Sequence, residues 1–256
     1  MKQTNKIGHV CCSLLSAACV VTSLVTSLSS CGGGTAGTGA APIPTVTRYF
    51  FVAPKVGTQL TYSEQIVDNS SNQINLTYTE TVVPTSQSGN YAVTENDPNN
   101  NSVTVNGTSY AVTPLTVTLN NSGQVLTTLN NNNQVTCTYA PFGLGPTYPL
   151  TVGANWTNNY TETCGTNAAV SFAETGTVLD LESITVPAGT FSALKLQNTL
   201  VYTDANGTVH NKVFLSWRDA ATGIMVKREV SDLISGTPVT NGYPILITYQ
   251  LQTGTP

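Results

Sequence analysis

Residues 170–202, VSFAETGTVLDLESITVPAGTFSALKLQNTLVY, carry the clearest fold signal in the chain. Apolar and polar side chains alternate on both sides of a short break, which is the pattern of two half-buried β-strands. Pro187 ends strand pairing because it has no backbone N–H. Ala188 and Gly189 form the turn, and Phe191 begins the next strand. The segment therefore predicts an antiparallel β-hairpin.

The same alternation continues through the chain from Arg48 onward, with no long amphipathic helix. We predict further strands at Gln59–Val67, Ile74–Val83, Tyr91–Glu95, Ser102–Val105, Leu115–Leu119, Val125–Leu129, Val135–Tyr139, Asn155–Glu162, Val209–Trp217, Ile224–Ser231 and Ile245–Leu251. Asn106-Gly107 and Asn206-Gly207 predict tight type I′ hairpin turns, because Asn-Gly tolerates positive φ at both central positions. The fold class is therefore all-β and antiparallel, as a curved sheet or a sandwich.

A weak internal repeat divides the body into two similar β units. Val56-Gly57 is matched by Val152-Gly153, Val83-Pro84 by Val186-Pro187, and Gly123 by Gly223, in the same order and at similar spacing. We place the first unit at residues 45–140 and the second, with the VPAGTF motif, at 141–256. The two units either pack as one curved sheet or sandwich, or form sister lobes.

Residues 1–30 have the plan of a secretory signal peptide. Lys2 and Lys6 give a positive start, and residues 10–28 form an apolar stretch diluted by Ser and Thr. A retained membrane helix is the alternative, because the stretch has about the 20 residues that a span needs. Its many hydroxyl side chains, and the glycines that follow Cys31, fit that alternative poorly.

Residues Leu28-Ser29-Ser30-Cys31 resemble the lipobox of bacterial lipoproteins, in which the signal is cut before the cysteine and that cysteine is acylated. The resemblance implies a membrane anchor through acyl chains, such as palmitate, on Cys31. Residues 31–44 would then be the lipidated cysteine and a flexible Gly/Ala/Thr/Pro tether of roughly 20 Å. Gly32 is not the aspartate that marks inner-membrane retention in enteric bacteria. The resemblance thus implies an outer membrane lipoprotein, at the periplasmic face or the cell surface.

Composition excludes one class of partner. Only 9% of residues are charged, against about 25% in ordinary soluble domains. Without residues 1–30, which hold two lysines and no acid, 7 basic and 13 acidic side chains remain, so the net charge is −6. Nucleic-acid binding needs a clustered basic face, and we therefore expect no nucleic-acid partner.

The cysteines predict one disulfide. Cys11, Cys12 and Cys19 leave with the signal, so Cys137 and Cys164 are the thiols of the body besides the anchor. A single pair in an oxidising compartment favours a disulfide bond. A cysteine nucleophile or metal ligand has little support, because the body has one histidine and no Cys-x-x-Cys. We expect no metal and no cofactor.

One set of motifs resembles a known family. It comprises Tyr148-Pro149-Leu150 with Val152-Gly153 and Trp156, then VPAGTF at 186–191, then Trp217, then Gly223 to Lys227. The set is similar to uncharacterised bacterial envelope lipoproteins and covers roughly residues 145–230. It implies no activity. It implies a distant likeness to lipoprotein-carrier folds, in which a curved antiparallel sheet shelters an acyl chain.

The residues of that set are expected to act structurally. The structural motif comprises Trp156, Pro187, Gly189, Phe191, Trp217 and Gly223. Buried aromatic residues dominate core energetics, so the aromatic members are predicted to be core anchors and not a platform on which a ligand stacks.

Candidate chemistry is sparse. Asp180 and Glu182 lie two apart on a predicted strand, and this is the one pair in the sequence that resembles acids paired for general acid–base work. A solvated sheet face is the preferred explanation of the pair, because no predicted element directs these side chains into a cleft. His210 follows a turn and is expected to cap a hairpin. No nucleophile elbow, zinc-protease motif or phosphate loop is present, so we expect no catalytic residue and no enzyme activity.

Three functional hypotheses follow. The preferred one is a non-enzymatic, lipid-anchored envelope protein that binds an apolar ligand or an envelope protein partner, which predicts an apolar cavity or patch. The second is a surface adhesion or glycan-binding module, which predicts exposed Tyr or Trp side chains on one rim. The third is a hydrolase, which requires Asp180, Glu182 or His210 to converge in a cleft.

Overall fold

The computed structural model describes residues 47–99, 102–143, 145–235 and 243–255. The predicted signal peptide, Cys31 and the predicted tether lie outside these residues. The strands of the described chain are β1 Gln59–Asp68, β2 Gln73–Pro84, β3 Tyr91–Asn96, β4 Ser102–Val105, β5 Thr108–Ala111, β6 Leu115–Leu119, β7 Val125–Asn130, β8 Val135–Gly143, β9 Asn155–Cys164, β10 Val170–Val186, β11 Gly189–Thr203, β12 Val209–Asp219, β13 Met225–Ser235 and β14 Pro244–Thr255. None of these residues forms a helix long and apolar enough to cross a membrane.

Twelve strands form one closed antiparallel barrel, in the order β1-β14-β13-β12-β11-β10-β9-β8-β7-β6-β3-β2. The barrel closes because β1 pairs with both β2 and β14. The all-β antiparallel prediction is confirmed, but the sheet is a barrel and not an open curved sheet or a sandwich. Closure gives every barrel strand two neighbours, which removes the exposed edges of an open sheet.

The two predicted units contribute to one continuous sheet. The boundary expected between residues 140 and 141 lies inside β8, which pairs with β9 of the other half. Each half supplies six barrel strands: β1, β2, β3, β6, β7 and β8 from the first, and β9 to β14 from the second. The halves therefore share one sheet and are not sister lobes.

The sequence repeat corresponds to repeated geometry. Gly57 and Gly153, at the entry to each half, have φ angles of 92° and 84°. Each donates its backbone N–H at 2.8 Å, Gly57 to the Val82 carbonyl and Gly153 to the Val178 carbonyl. Positive φ is easy for glycine and costly for other residues, which is why the same residue occupies both positions.

Side chains alternate between the lumen and the outer surface of the barrel. In β2, for example, Ile74, Leu76, Tyr78 and Glu80 are buried, and the residues between them are more accessible. A twelve-stranded barrel has a wider interior than an eight-stranded one. Large inward side chains occupy much of it, and one core cluster includes residues from Leu60 of β1 to Leu251 of β14.

One end of the barrel, which we call the tether end, is where residues 47–58 lead into β1. We call this segment the strap. Tyr49 exchanges two backbone hydrogen bonds with Leu150, of 2.8 and 2.7 Å. The Phe51 ring packs against Tyr91 and Tyr148. The strap is thus attached to both halves.

The β10–β11 hairpin also reaches the tether end. Val186 pairs with Gly189, so Pro187 and Ala188 are the turn residues, one position earlier than predicted. The Ala188 N–H donates to the Leu251 carbonyl of β14 at 3.1 Å. The VPAGTF motif therefore ties β10 and β11 to a strand that is not their neighbour.

The opposite end, which we call the far end, carries the small β4–β5 sheet. Tyr110 of β5 is buried against Ile66, Ile74 and Leu76. Its hydroxyl donates to Asp68 Oδ2 at 2.8 Å. The hairpin is therefore packed onto the β1–β2 turn.

The two predicted Asn-Gly turns differ. Asn106 and Gly107 have φ angles of 50° and 80°, which confirms the type I′ prediction. In the other turn positive φ occurs at Gly207 and not at Asn206, so the type I′ prediction is wrong there. The Asp204 carboxylate accepts hydrogen bonds from the backbone N–H groups of Asn206 and Thr208. That side chain stabilises a wider turn.

Candidate functional site

Four apolar side chains are exposed on the outer wall near the far end. They are Val201 (40% exposed), Val209 (37%), Leu233 (66%) and Leu246 (39%), on β11, β12, β13 and β14 respectively. We call these four residues the wall patch. They point outward because the residues that alternate with them point into the lumen.

The wall patch is contiguous across the sheet. Asn211 pairs with both Val201 and Leu233, and Val209 lies two residues away on the same strand. Ser231 pairs with Leu246 and lies two residues from Leu233. Diagonal neighbours of this kind lie about 7–8 Å apart, within reach of one another.

The outward neighbours of the wall patch include three uncharged polar residues, and Glu229 lies diagonal to Leu246. Thr203, Asn211 and Ser231 occupy the outward positions paired with its members. Contiguous apolar surface rimmed by polar residues marks interaction sites on soluble proteins. The patch is therefore suited to bind an apolar partner.

An open groove of about 490 Å³ lies beside the wall patch and shares Val201 with it. The groove crosses β8 to β11, and its lining comprises Ala140, Asn159, Tyr160, Thr161, Ser171, Phe172, Ala173, Val201, Tyr202 and Thr203. Most of the outward members are small, so the wall is recessed there. An open recess on a sheet surface accommodates an extended segment better than an enclosed small molecule.

The wall behind the groove is reinforced by aromatic rings. The ring centroids form a series Tyr139–Tyr160 (6.0 Å), Tyr160–Phe172 (5.1 Å), Phe172–Tyr202 (4.7 Å), Tyr202–His210 (4.5 Å) and His210–Tyr243 (6.2 Å). These spacings lie in the range of favourable aromatic pairs. The series ties the lumen side of β8 to β12 together and keeps the groove preformed.

Charged groups at the end of that series are buried in the lumen. His210 Nδ1 lies 2.9 Å from Asp232 Oδ2, and the Tyr243 hydroxyl donates to the same oxygen at 2.7 Å. The Lys212 ammonium is 3.6 Å from that oxygen. A buried charge is stable when it is paired and hydrogen-bonded. The cluster therefore joins β12, β13 and the residue before β14.

Ionisable groups also line the lumen elsewhere. Burial raises the pKa of Glu64 to about 7, although the hydrogen bond from Tyr249 lowers it. Burial lowers the pKa of Arg228, and the nearby Arg218 guanidinium lowers it further. An acyl chain placed against such groups would remove water from them without offering a hydrogen bond. This wall is therefore a poor site for a hydrocarbon ligand.

The residues predicted as candidates for hydrolysis do not meet. Glu182 is in register with Ala193, which in turn pairs with Asp219, whereas His210 lies nine residues earlier on β12. That separation is about 30 Å along a strand. Asp180 is exposed beside a bulge and accepts a hydrogen bond from the Leu181 N–H. The described structure thus forms no cleft from these three residues.

His210 contacts the turn of its hairpin as predicted, because its Nε2 lies 3.5 Å from Oδ2 of Asp204. Its ring is also buried in the lumen wall, stacked on Tyr202 and bound to Asp232. The sequence carries no signal for this arrangement, because Asp232 and Tyr243 come from separate parts of the chain.

Trp217 belongs to the main core cluster, and charged side chains also cover it. The ammonium groups of Lys195 and Lys227 lie 5.1 and 4.7 Å from its ring centroid, on the two neighbouring strands. Its indole N–H donates to Glu182. The ring is only 5% exposed, so the described neighbours leave little of it for a ligand to stack on.

Trp156 faces the lumen and is bound to a buried acid. Its indole N–H donates to Glu174 Oε1 at 3.3 Å, and Asn198 donates to the same oxygen at 3.0 Å. Asn158 donates to Glu174 Oε2 at 3.3 Å. This carboxylate is fully buried and well supplied with donors, which is the environment of a structural group.

The remaining motif residues have backbone or packing roles. Gly189 and Gly223 have φ angles of 140° and 69°. Phe191 is half-buried against the main core cluster. Pro187 occupies the β10–β11 turn.

Cys137 and Cys164 form a disulfide between the paired strands β8 and β9. Their sulfur atoms lie near the Glu162 carboxylate, and these three side chains place ligand-type atoms within 4.8 Å of one another. A disulfide offers no thiolate, and the thiolate is the form that binds metal. The trio is therefore not a metal site while the disulfide is intact.

The wall patch was missed by the sequence analysis. In residues 209–217, VHNKVFLSW, both faces of the strand mix apolar and polar residues. Alternation alone does not say which face is outward when the lumen side holds His210 and Lys212. One sequence signal points to the wall patch. Strand β12 is rich in Val and Leu on one face, while its other face carries an aromatic residue.

No family model and no curated protein matches the chain. Among solved structures, a protein from Bacteroides fragilis described as exported, with a YmcC-like fold, has a TM-score of 0.47 and 12% identity, covering 81% of this chain and 99% of its own. A Parabacteroides distasonis chain described as a lipoprotein has a TM-score of 0.42 and 13% identity, covering 80% and 98%. The hypothetical lipoprotein YmcC of Escherichia coli has 0.38 and 13%, covering 75% and 87%. These identities are too low to carry a function to this chain.

Proposed function

We propose that this chain is a non-enzymatic, lipid-anchored envelope protein that binds another envelope protein through the wall patch and the adjoining groove. The observation that carries the proposal is the contiguous exposure of Val201, Val209, Leu233 and Leu246 on four neighbouring strands. Protein interfaces have an apolar centre and a polar rim, and the patch has both.

Export and anchoring are supported by the sequence. Residues 1–30 resemble a secretory signal, and Leu28 to Cys31 resemble a lipobox. The Cys137–Cys164 disulfide suits an oxidising compartment. We place the protein at the outer membrane, facing the periplasm or the cell surface, because Gly32 follows the cysteine.

A protein partner suits the geometry better than an acyl ligand. The lumen wall carries partly buried Glu64 and buried Arg228 and Asp232, whereas the exposed apolar surface lies outside the barrel. The exposed apolar positions on β11 to β14 therefore point outward. An extended segment of a partner would lie in the groove while a flat surface covers the patch.

The glycan-binding alternative predicts exposed Tyr or Trp side chains on one rim of the protein. All eleven tyrosines and both tryptophans lie in the described residues, and none is exposed. The absence of enzyme activity stays a proposal, supported by the separation of Asp180, Glu182 and His210.

Site-specific photo-crosslinking in cells tests the binding surface. A photoreactive residue at Leu233 is expected to give one discrete adduct, and one at Thr77, exposed on β2, is expected to give none. Adding Val209→Thr to the Leu233 probe should weaken the adduct. Equal labelling at both sites, or none at Leu233, contradicts the proposal.

Two further measurements test the lipid anchor and the choice between a protein partner and a small ligand. Incorporation of labelled palmitate should occur in the wild type and be lost in Cys31→Ser, which tests the anchor independently. Native mass spectrometry should show no tightly held small molecule; an added lipid mass would favour a ligand-carrier role over a protein partner.

A further inference from the structure

The tether end of the barrel combines exposed apolar side chains with basic ones. Phe50 (43% exposed) and Val56 (60%) lie on the strap, Val152 (50%) on the loop before β9, and Phe142 (43%) at the end of β8. Arg48 and Lys55 are exposed on the same strap. We call these six residues the tether-end rim.

Acidic residues are missing from the connections at this end. The described segments 47–58, 85–90, 120–124, 145–154, 187–188 and 220–224 contain no Asp or Glu. The adjacent Asp219 is buried and accepts hydrogen bonds from Thr222. The exposed charge of these connections is therefore positive, whereas exposed Asp180 and partly exposed Glu182 lie on β10, beyond the Val178 carbonyl that accepts from Gly153.

The basic residues of the rim differ from the other cations of the body. Lys212, Arg218 and Arg228 are buried. Lys195 and Lys227 form ion pairs with Glu182 and Glu229. By contrast, Arg48 and Lys55 form no ion pair with any described residue, so their charges face solvent without a carboxylate partner.

The strap holds the rim in place. Tyr49 is bonded to Leu150, and Gly57 donates to the Val82 carbonyl. Phe50 and Val56 lie between or beside these attachments, so their exposure does not result from a loose terminus. Residues 32–46 connect the strap to Cys31, and from their Gly/Ala/Thr/Pro composition a coil of this length is expected to span roughly 20 Å. The tether thus starts from the rim and is short.

We infer that the tether-end rim rests on the anionic headgroup surface of the bilayer that holds Cys31. Apolar side chains flanked by Lys and Arg favour the membrane interface, and anionic lipids attract the basic groups. This inference rests on the proposed lipid anchor. It orients the barrel with its far end, and the wall patch near that end, away from the membrane.

Fluorescence quenching on the full lipidated chain tests the orientation. An introduced cysteine is the sole free thiol, because Cys31 is acylated and Cys137 and Cys164 form a disulfide. Val152→Cys reports on the rim and Leu233→Cys on the far end; each is labelled with bimane and placed in vesicles containing phosphatidylglycerol and nitroxide-labelled lipid. We expect at least threefold stronger quenching at position 152, reduced by raising the salt concentration.

A matched pair of charge variants tests the cause. Arg48→Gln with Lys55→Gln removes two positive charges at the rim, and Asn132→Asp with Asn133→Asp adds two negative charges in the exposed far-end turn. Both lower the net charge by two. The rim pair should lose most of the quenching at position 152, and the far-end pair should keep it.

The outcomes separate this inference from the anchor. A chain that fails to float with vesicles overturns both the anchor and the rim. A chain that floats but is quenched equally at positions 152 and 233, or is unaffected by the rim pair, overturns the rim alone. Labelled chains that self-associate through position 152 in detergent would assign the rim to a second copy and overturn it as well.

Discussion

Gly176 and Trp156 lie in register on β10 and β9, and the indole ring of Trp156 covers the α-carbon of Gly176. A Cβ placed on residue 176 would lie 2.0 Å from the ring, far inside van der Waals contact. The same ring donates its N–H to the buried Glu174. The absence of a side chain at position 176 therefore allows Trp156 to reach that carboxylate.

Gly176→Ala is expected to lower the free energy of unfolding by about 2–3 kcal/mol, because the ring must move out of a packed lumen. Thermal and urea unfolding measure the effect. Thr175→Ala, on the outward neighbouring position, is the control and should change stability by less than about 1 kcal/mol. Equal stability of Gly176→Ala and wild type would contradict the packing described here.

Loss of the disulfide is expected to destabilise the barrel by about 3.5 kcal/mol, because the bond closes a loop of 27 residues in the unfolded chain. Urea unfolding of Cys137→Ser with Cys164→Ser measures this. The paired neighbours Thr138 and Thr163, both changed to Ser, form the control. A double cysteine variant as stable as wild type would show that the bond does not constrain the unfolded state.

The raised pKa of Glu64 predicts that the free energy of unfolding depends on pH. Its folded pKa of about 7 lies above the ordinary value of 4.5. The stabilising contribution of the protonated form is therefore fully present below about pH 4.5 and is lost as the pH rises through about 7. Glu64→Gln avoids this loss, so it should exceed wild type in stability at pH 8 by on the order of 2–3 kcal/mol.

The same comparison at pH 4.5 should show a much smaller difference between Glu64→Gln and wild type. Asp180→Asn removes an exposed carboxyl and serves as the control, with little change expected at either pH. Urea unfolding at both pH values measures all three proteins. A Glu64→Gln advantage that does not grow with pH would contradict the burial of this carboxyl.

Tyr110→Phe should loosen the β4–β5 hairpin. The variant loses the hydrogen bond from the Tyr110 hydroxyl to Asp68, which costs about 1–3 kcal/mol for a bond to a charged acceptor. Limited proteolysis within residues 102–111 should become faster, while Ser109→Ala, exposed on the same strand, should not change the rate. Unchanged cleavage in Tyr110→Phe would show that apolar packing alone holds the hairpin.

Acid should loosen the same hairpin in wild type. Burial works to raise the pKa of Asp68, but hydrogen bonds from Asn72, Tyr110 and Ser70 outweigh it and keep the pKa below the ordinary value. The stability that these bonds contribute is present above about pH 4 and is lost as the pH falls. The hydrogen-exchange protection factors of residues 102–111, which correct for the intrinsic exchange rate at each pH, should therefore fall below pH 4. They should fall less in Asp68→Asn.

The local signals in the sequence identified most of the sheet. Alternation along residues 170–202 and the Asn106-Gly107 turn depend on neighbouring residues, and both occur in the structure. The type I′ prediction failed at Asn206 because the Asp204 carboxylate supplies acceptors that stabilise another turn. Strand β5, Thr108–Ala111, was missed although a hairpin turn precedes it, because Tyr110 is its one large side chain with an apolar surface.

The candidate sites were harder to predict from the sequence, because they depend on contacts between distant parts of the chain. Asp232 and Tyr243 contact His210 only because β12, β13 and β14 are neighbours in the barrel. The wall patch depends on which face of each strand is outward. Polar groups in the lumen, such as Lys212, conceal that choice from hydrophobic patterning.

Local sequence features are sufficient for the antiparallel β class, the repeated Gly57 and Gly153 entries and the pairing of Cys137 with Cys164, because each depends on periodicity, on glycine conformation or on residue count. Closure of the sheet has no local signal, since it depends on β1 meeting β14 across nearly the whole chain. Closure also decided which side chains face the lumen. As a result Leu233 is exposed and His210 is buried, because successive side chains of a strand alternate between the lumen and the outer surface of a closed barrel.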